Sequence, residues 1–213
     1  MFSMSRAWEK FFFVLSYILQ GSSYLSPYAY GVMHRLHHAY ADTEKDPHSP
    51  KYDENLFKMM WRTKIIYTEI YDGEFELEDK FVKGVPVWRK FDEFASSWGA
   101  RLFWAAFYIA FYVAFATHWW MYLFLPLHFF MGPIHGAVIN WFAHRLGYTN
   151  FELGDTSKNL LPVDFLMLGE SYHNNHHKFG GKPNFGHRWF EIDPIYPIIR
   201  IFDKLHIVRL KAQ

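Results

Sequence analysis

The chain divides sharply by polarity. From Leu102 to His144 it carries no Asp, Glu, Lys or Arg, whereas residues 39–96 and 145–213 are dense in charge. A bilayer core of about 30 Å takes roughly 20 residues of helix, so the uncharged run predicts two spans rather than one. The break between them is expected at Thr117-His118-Trp119-Trp120, whose rings suit a membrane–water boundary. The first span is expected over 97–116, with Arg101 snorkelling near its end, and the second over 121–144, kinked at Pro126 and Gly132-Pro133. Phe11 to Met33 is also uncharged, but Gln20-Gly21-Ser22-Ser23 and Pro27 would break a helix there. Its apolar part, Phe11 to Leu19, reads as a short interfacial or re-entrant helix. Leu56, Met59, Met60, Ile65, Ile66 and Ile70 predict a helix over 56–71. Ile195, Ile198, Ile199, Phe202, Leu205 and Ile207 predict an amphipathic helix over 195–210. Both helices read as a cap packed on itself and on lipid headgroups.

The turn between the spans has no basic residue, so the positive-inside rule puts residues 34–101 and 145–213 together on the cytoplasmic side. The predicted class is an all-α integral membrane protein: one domain over 1–213, two transmembrane helices, and a cytoplasmic helical cap. A mean hydropathy of -0.14 hides the spans by averaging them with the charged remainder. The absence of cysteine removes disulfides, zinc–thiolate sites, iron–sulfur clusters and Cys nucleophiles together. A net charge of +1 gives no field to draw nucleic acid, which is not expected as a partner.

Histidine is the compositional anomaly, with 13 in the chain. His34, His37 and His38 stand as HRLHH, and His173, His176 and His177 as HNNHH. Both triplets have i, i+3, i+4 spacing, which on a helix falls on one face. Asn140 and His144 stand at i, i+4 where the second span returns to the same side. Three separated segments thus bring seven imidazoles and an amide to one membrane face. Imidazole suits zinc, copper, iron and nickel. Seven are too many for one ion with three or four protein ligands, so two metals are favoured. Asp42, Asp46, Asp155, Asp164 and Glu170 are candidates to orient the rings. His135, nine residues before His144, would lie about 13 Å deeper along a helix. It and His128 read as bundle hydrogen-bonding groups, His118 as interfacial, His48 as a loop anchor, and His187 and His206 as surface residues.

Three stretches carry a family resemblance. HRLHHAYADTEKDPHSP at 34–50 resembles the second histidine box of the membrane-bound fatty acid desaturases, in their acyl-CoA (stearoyl-type, delta-9) branch. HNNHHKFGG at 173–181 resembles the third box, and NWFAHRLGY at 140–148 the segment that supplies an extra Asn and His. The resemblance implies two iron ions held by His34, His37, His38, His144, His173, His176 and His177, with Asn140 acting through a water. It also implies that Phe11 to Met33 lies along the membrane. The family's earlier HxxxxH box is absent, and MFSMSRAWEK resembles the stretch just after it, so an N-terminally incomplete chain is expected.

What the resemblance implies about function is oxygen-dependent insertion of a cis double bond into a fatty acyl-CoA or acyl-lipid, with O2 as co-substrate. Electrons would come from an external donor such as ferredoxin or cytochrome b5, because the chain carries no flavin, haem or nicotinamide motif. The alternatives are a related diiron lipid hydroxylase or ketolase, a membrane zinc hydrolase, and a non-catalytic membrane remnant.

Overall fold

A computed structural model describes residues 2–211. Phe2–Ser3 forms a short strand, β1. Ser5 then starts α1 (Arg6–Gln20), its hydroxyl accepting from the Trp8 N–H. The helix stops at Gly21, whose φ of +55° is left-handed and where a Cβ would collide with the Tyr108 hydroxyl. A single 3-10 turn (Gly21–Ser23) follows, and Ser26 caps α2 (Pro27–Tyr40), which has Pro27 in its first turn. The uncharged stretch Phe11 to Met33 is therefore two helices about a break.

That break is wedged between the apolar helices. The Ser22 hydroxyl lies 3.4 and 3.3 Å from the carbonyls of His128 and Phe129, and the Ser23 hydroxyl accepts from the Gly132 N–H at 3.1 Å. Arg101 donates to the carbonyls of Ser22 (2.8 Å) and Tyr24 (3.3 Å). These bonds satisfy buried backbone groups at the turn and anchor the start of α2, which carries the first histidine triplet.

Asn55 caps α3 (Leu56–Asp72), which ends at Gly73 in the left-handed conformation. Two short helices follow, α4 (Asp79–Val82) and α5 (Arg89–Ser96). Ala29, Val32, Met33 and Leu36 on α2 pack against Ile70 of α3 and Phe81 of α4 as one buried cluster. Each large side chain so buried contributes about 1.5–3 kcal/mol, so the side of α2 away from the solvent is fixed by packing.

Ser97 caps α6 (Trp98–Phe115), the straight apolar helix expected from the sequence. The second apolar run departs from expectation. Instead of one helix it forms a 3-10 stretch (Trp119–Phe124), α7 (Leu125–Phe129), α8 (Met131–Ala137) and a π-helical turn (Val138–Phe142). The two halves meet at 72°. Pro133 explains the break at Phe130, because it has no N–H for the Phe129 carbonyl and its ring would clash there. Among the described residues there is thus one helix long and apolar enough to cross a membrane, or two if the bent pair forms one span.

The second histidine triplet forms a short helix, α9 (His173–Lys178). The last helix, α10 (Tyr196–Lys204), is shorter than its apolar pattern. It ends where His206 turns left-handed, and Arg209–Leu210 then forms β2, antiparallel to β1 with Phe2 opposite Leu210. The other elements of three or more residues among the described residues are helical, joined by long irregular segments at 143–172 and 179–195.

Candidate metal centre

The helix α2 places His34 and His38 one turn apart, with His37 rotated between them. The helix α9 does the same for His173, His177 and His176. The two triplets interlock. His34 and His38 join His176, their Nε2 atoms lying 3.1, 3.1 and 2.8 Å apart. Conversely, His173 and His177 join His37, together with His144. There the His37 and His177 Nε2 atoms are 3.1 Å apart, and those of His144 and His173 3.0 Å. Each triplet therefore gives its i, i+4 pair to one group and its middle residue to the other. Within each group the nitrogens lie within 4.8 Å of one another.

Outer hydrogen bonds set the tautomers. The His37 Nδ1 donates to Asp46 at 2.9 Å, and the His177 Nδ1 to Asp155 at 2.9 Å. The His144 Nδ1 is 3.1 Å from the Thr156 hydroxyl, which is itself bonded to Asp42, and 3.8 Å from Asp42. With the proton on Nδ1, the Nε2 lone pair faces the middle of the group, the usual arrangement of a metal-binding imidazole and its carboxylate. Burial and the neighbouring imidazoles hold His34, His173 and His176 well below the ordinary histidine value. The same causes lower His38 to about 3. Burial pushes the Asp42 and Asp155 carboxyls up, but hydrogen bonds from His144, Ser49 and Thr156 to the first, and from His177 and Ser157 to the second, outweigh it and leave both well below the usual range. His34, His38, His173 and His176 are thus held neutral, with Asp42 and Asp155 ionised beside them.

Converging lone pairs repel unless a cation sits between them. Nitrogens about 3 Å apart leave room for an ion bonded to each at about 2.0–2.1 Å, the metal–imidazole distance. The donor set therefore fits a transition-metal ion in each group, and imidazole is a ligand that iron accepts.

Among the other residues singled out from sequence, Asn140 sits half-buried in the π-helical turn, and no hydrogen bond joins its side chain to the cluster among the described residues. A π turn takes more residues than an α turn, and His144 lies beyond it, so the i, i+4 relation does not put the two on a shared α-helical face. His48 is buried more intimately than a loop anchor. Its ring lies 4.3 Å from that of His37, its N–H donates to Asp46 at 3.0 Å, and it forms a third close group with His37 and Asp46. Asp164 serves the backbone instead, accepting from the N–H groups of Met167, Gly169 and Ser171. Burial, with Asp193 and Asp164 nearby, raises Glu170 to about 7. His128 bonds the Tyr112 hydroxyl at 2.9 Å inside the apolar helices, as a bundle group should.

Sequence reasoning passed over the residues that frame the site. Thr156 bridges His144 to Asp42. Asn174 and Asn175, between the histidines of α9, bond Asn150, Asn159, Phe151 and Glu191 and fix that helix in place. The asparagines inside HNNHH were the available signal, because buried amides need partners.

A helical chain with a break wedged between apolar helices and two interlocked imidazole groups defines a class: a helical protein with a polyhistidine centre that could hold metal ions. The chain belongs to the fatty acid desaturase family, whose model matches residues 1–211. It is 28% identical over 176 residues to Delta-9 desaturase-like 4 protein of Arabidopsis thaliana, covering 82% of this chain and 56% of that protein. It is 26% identical over 205 residues to sn-1 stearoyl-lipid 9-desaturase of Anabaena variabilis (93% and 69%). It is 29% identical over 205 residues to Acyl-CoA C20 Delta5-desaturase of Anemone leveillei (96% and 62%). The chain thus spans little more than half the length of its Arabidopsis relative. No solved structure matches it. The family is membrane-associated, and its members are oxidoreductases of lipid metabolism.

Proposed function

We propose that the chain is the metal-bearing part of an oxygen-dependent acyl desaturase, acting on a fatty acyl-CoA or acyl-lipid at the cytoplasmic face of a membrane. The observation that carries this is the interlocking of the two histidine triplets, His34 and His38 with His176, and His173 and His177 with His37 and His144. In this reading His34, His38 and His176 hold one iron ion, and His37, His144, His173 and His177 the other, with Asn140 acting through a water. When bound, the iron pair supplies the power to activate O2 towards an unactivated C–H bond.

The protein's own work is electrostatic and steric. Asp46 and Asp155 keep the His37 and His177 protons on Nδ1, so both rings face the centre as neutral ligands. Burial of His37, His144, His173 and His176 keeps bulk water from the centre, which limits side reactions. The break at Gly21–Ser23 holds the first triplet beside the apolar helices, where an acyl chain would arrive. Positioning of the chosen C–H then decides where the double bond forms. In balance, a saturated –CH2–CH2– unit, O2, two electrons and two protons give a cis –CH=CH– unit and two waters. The electrons come from an external carrier such as ferredoxin or cytochrome b5.

Expression of the chain in a host lacking its own acyl desaturase, followed by gas chromatography of the fatty acids, tests the reading. A new cis-monounsaturated acid that disappears with His176→Ala supports it. A hydroxy acid would move the chain to the hydroxylases, and ester hydrolysis without O2 or reductant would point to zinc chemistry. No product with wild type and no bound iron would overturn the reading.

A further inference from the structure

The loop after α9 has two faces. Phe185 turns inward: its ring lies 4.3 Å from that of His176, and its carbonyl accepts from the Asn175 amide at 2.9 Å. Trp189 turns outward and is 93% exposed, more than any other large apolar side chain among the described residues. The loop that presents it is tightly braced. The buried Glu191 carboxylate accepts from the N–H groups of His187 and Arg188 (2.7 Å each), from the Asn175 amide (2.9 Å), and from the Tyr148 hydroxyl and Asn150 amide (2.7 Å each). Asp193 accepts from the N–H groups of Phe185 (3.0 Å) and Ile195 (2.9 Å). The frame that holds the indole out thus ends on Asn175, between His173 and His176.

The surroundings are basic. No Asp or Glu occurs from Ser171 to Phe190, while Lys178, Lys182 and Arg188 are all exposed. The next acids, Glu191 and Asp193, are buried in the frame. Glu152 adjoins the patch through Phe151, whose ring lies 4.8 Å from His187, and leaves the patch net positive. An exposed tryptophan presented by a braced loop that also carries exposed cations is the anatomy of an interface anchor with electrostatic steering. It costs solvation to leave in water unless something covers it.

We propose that this loop is the docking surface for a one-electron carrier protein with an acidic face, with Trp189 at the centre and Lys182 and Arg188 on the rim. The proposal rests on the desaturase reading, which needs two electrons per turnover from outside the chain. Each encounter would oxidise the carrier by one electron, which the metal ions held by the histidines would accept, so two encounters would serve one turnover. Docking here sets the carrier over Phe185 and His176. Tryptophan beside lysine also suits a bilayer surface. The carrier is favoured because exposed Lys178, Lys182 and Arg188, with no acid from Ser171 to Phe190, complement an acidic protein face, whereas a neutral bilayer offers those charges nothing.

Binding to the full chain in neutral phosphatidylcholine nanodiscs tests this, with a [2Fe–2S] ferredoxin and the soluble haem domain of a cytochrome b5 as probes. At least one carrier is expected to bind saturably, and less tightly as salt rises through the range where surface charges are screened. Trp189→Ala and the double change Lys182→Glu with Arg188→Glu should each weaken binding about tenfold, whereas Lys90→Glu on α5 should not. Circular dichroism and retained metal should match wild type, which separates lost docking from lost folding. Failure of both carriers to bind wild type, or equal binding by the variants, would overturn the proposal. So would quenching of the indole by brominated phospholipid that disappears with Trp189→Ala. If the chain makes no alkene yet carrier binding still depends on Trp189, the docking surface stands and the desaturase reading falls.

Discussion

Asp155→Asn isolates the role of the outer carboxylates. Asp155 accepts from the His177 Nδ1–H at 2.9 Å and from the N–H and hydroxyl of Ser157. An asparagine of the same shape has two choices. It can keep its oxygen on Ser157 and turn its NH2 to His177, which then accepts at Nδ1 and carries its proton on Nε2, pointing into the group of four. The ring is then lost as a ligand. Alternatively, the amide flips to serve His177 and faces the Ser157 N–H with a second donor, leaving that group unpartnered at about 1–3 kcal/mol. Either route weakens metal binding by about 10–100-fold, or about 1.4–2.8 kcal/mol. The fold should change little, because Asp155 has 13% side-chain exposure at the rim of the site. Competition with a chelator of known iron affinity measures the change directly. Metal affinity equal to wild type, with the fold intact, would refute the assignment of Asp155 as the group that sets the His177 tautomer.

Further outcomes follow from the same geometry. His176→Ala removes a shared corner of the group with His34 and His38 and should abolish one of two bound metal ions, whereas His48→Ala should spare stoichiometry and lower only stability through the void beside His37; metal analysis with thermal melting distinguishes them. The metal-free protein should lose stability as pH falls below the unfolded histidine value of about 6.5. The buried rings, held well below that value by burial and by each other, stay neutral in the fold while the unfolded chain takes up protons, at up to about 1.4 kcal/mol per pH unit for each ring. Asp42 and Asp155, depressed in the fold, add loss only at still lower pH, below about 4. Melting of chelator-stripped protein from about pH 8 to 5 should show the decline, and a flat profile would contradict it. Gly21→Ala puts a Cβ into the Tyr108 hydroxyl at a left-handed position, so it should destabilise by at least about 1–3 kcal/mol in a detergent melt.

The parts of the fold written in local pattern were legible. The extent of α6 follows from an uncharged run and a Ser cap, and α3 from its helical spacing and Asn55. The histidine triplets announced themselves by i, i+3, i+4 spacing, which also dictates that one residue of each points away from the other two. That the odd residue of one triplet joins the pair of the other depends on how α2 meets α9, and no local pattern encodes it. The same holds for the acids. Asp46, Asp155 and Asp42 reach histidines while Asp164 turns to its own loop, a choice made by long-range closure. The bend at Phe130 was half legible: Pro126 and Pro133 mark kinks, but no local pattern encodes an angle of 72°. The β1–β2 ladder joins the two ends of the described chain through two residues on each strand, too few to leave a period-2 signature.

The claim on which the rest depends is that interlocked triplets hold a pair of metal ions. Iron per chain, counted by mass spectrometry on protein purified without a polyhistidine tag and loaded anaerobically, tests it most directly. Two ions per chain, falling to one in His176→Ala, is the predicted result. A wild-type chain that retains no iron, or retains the same amount after His37→Ala and His176→Ala together, would contradict it.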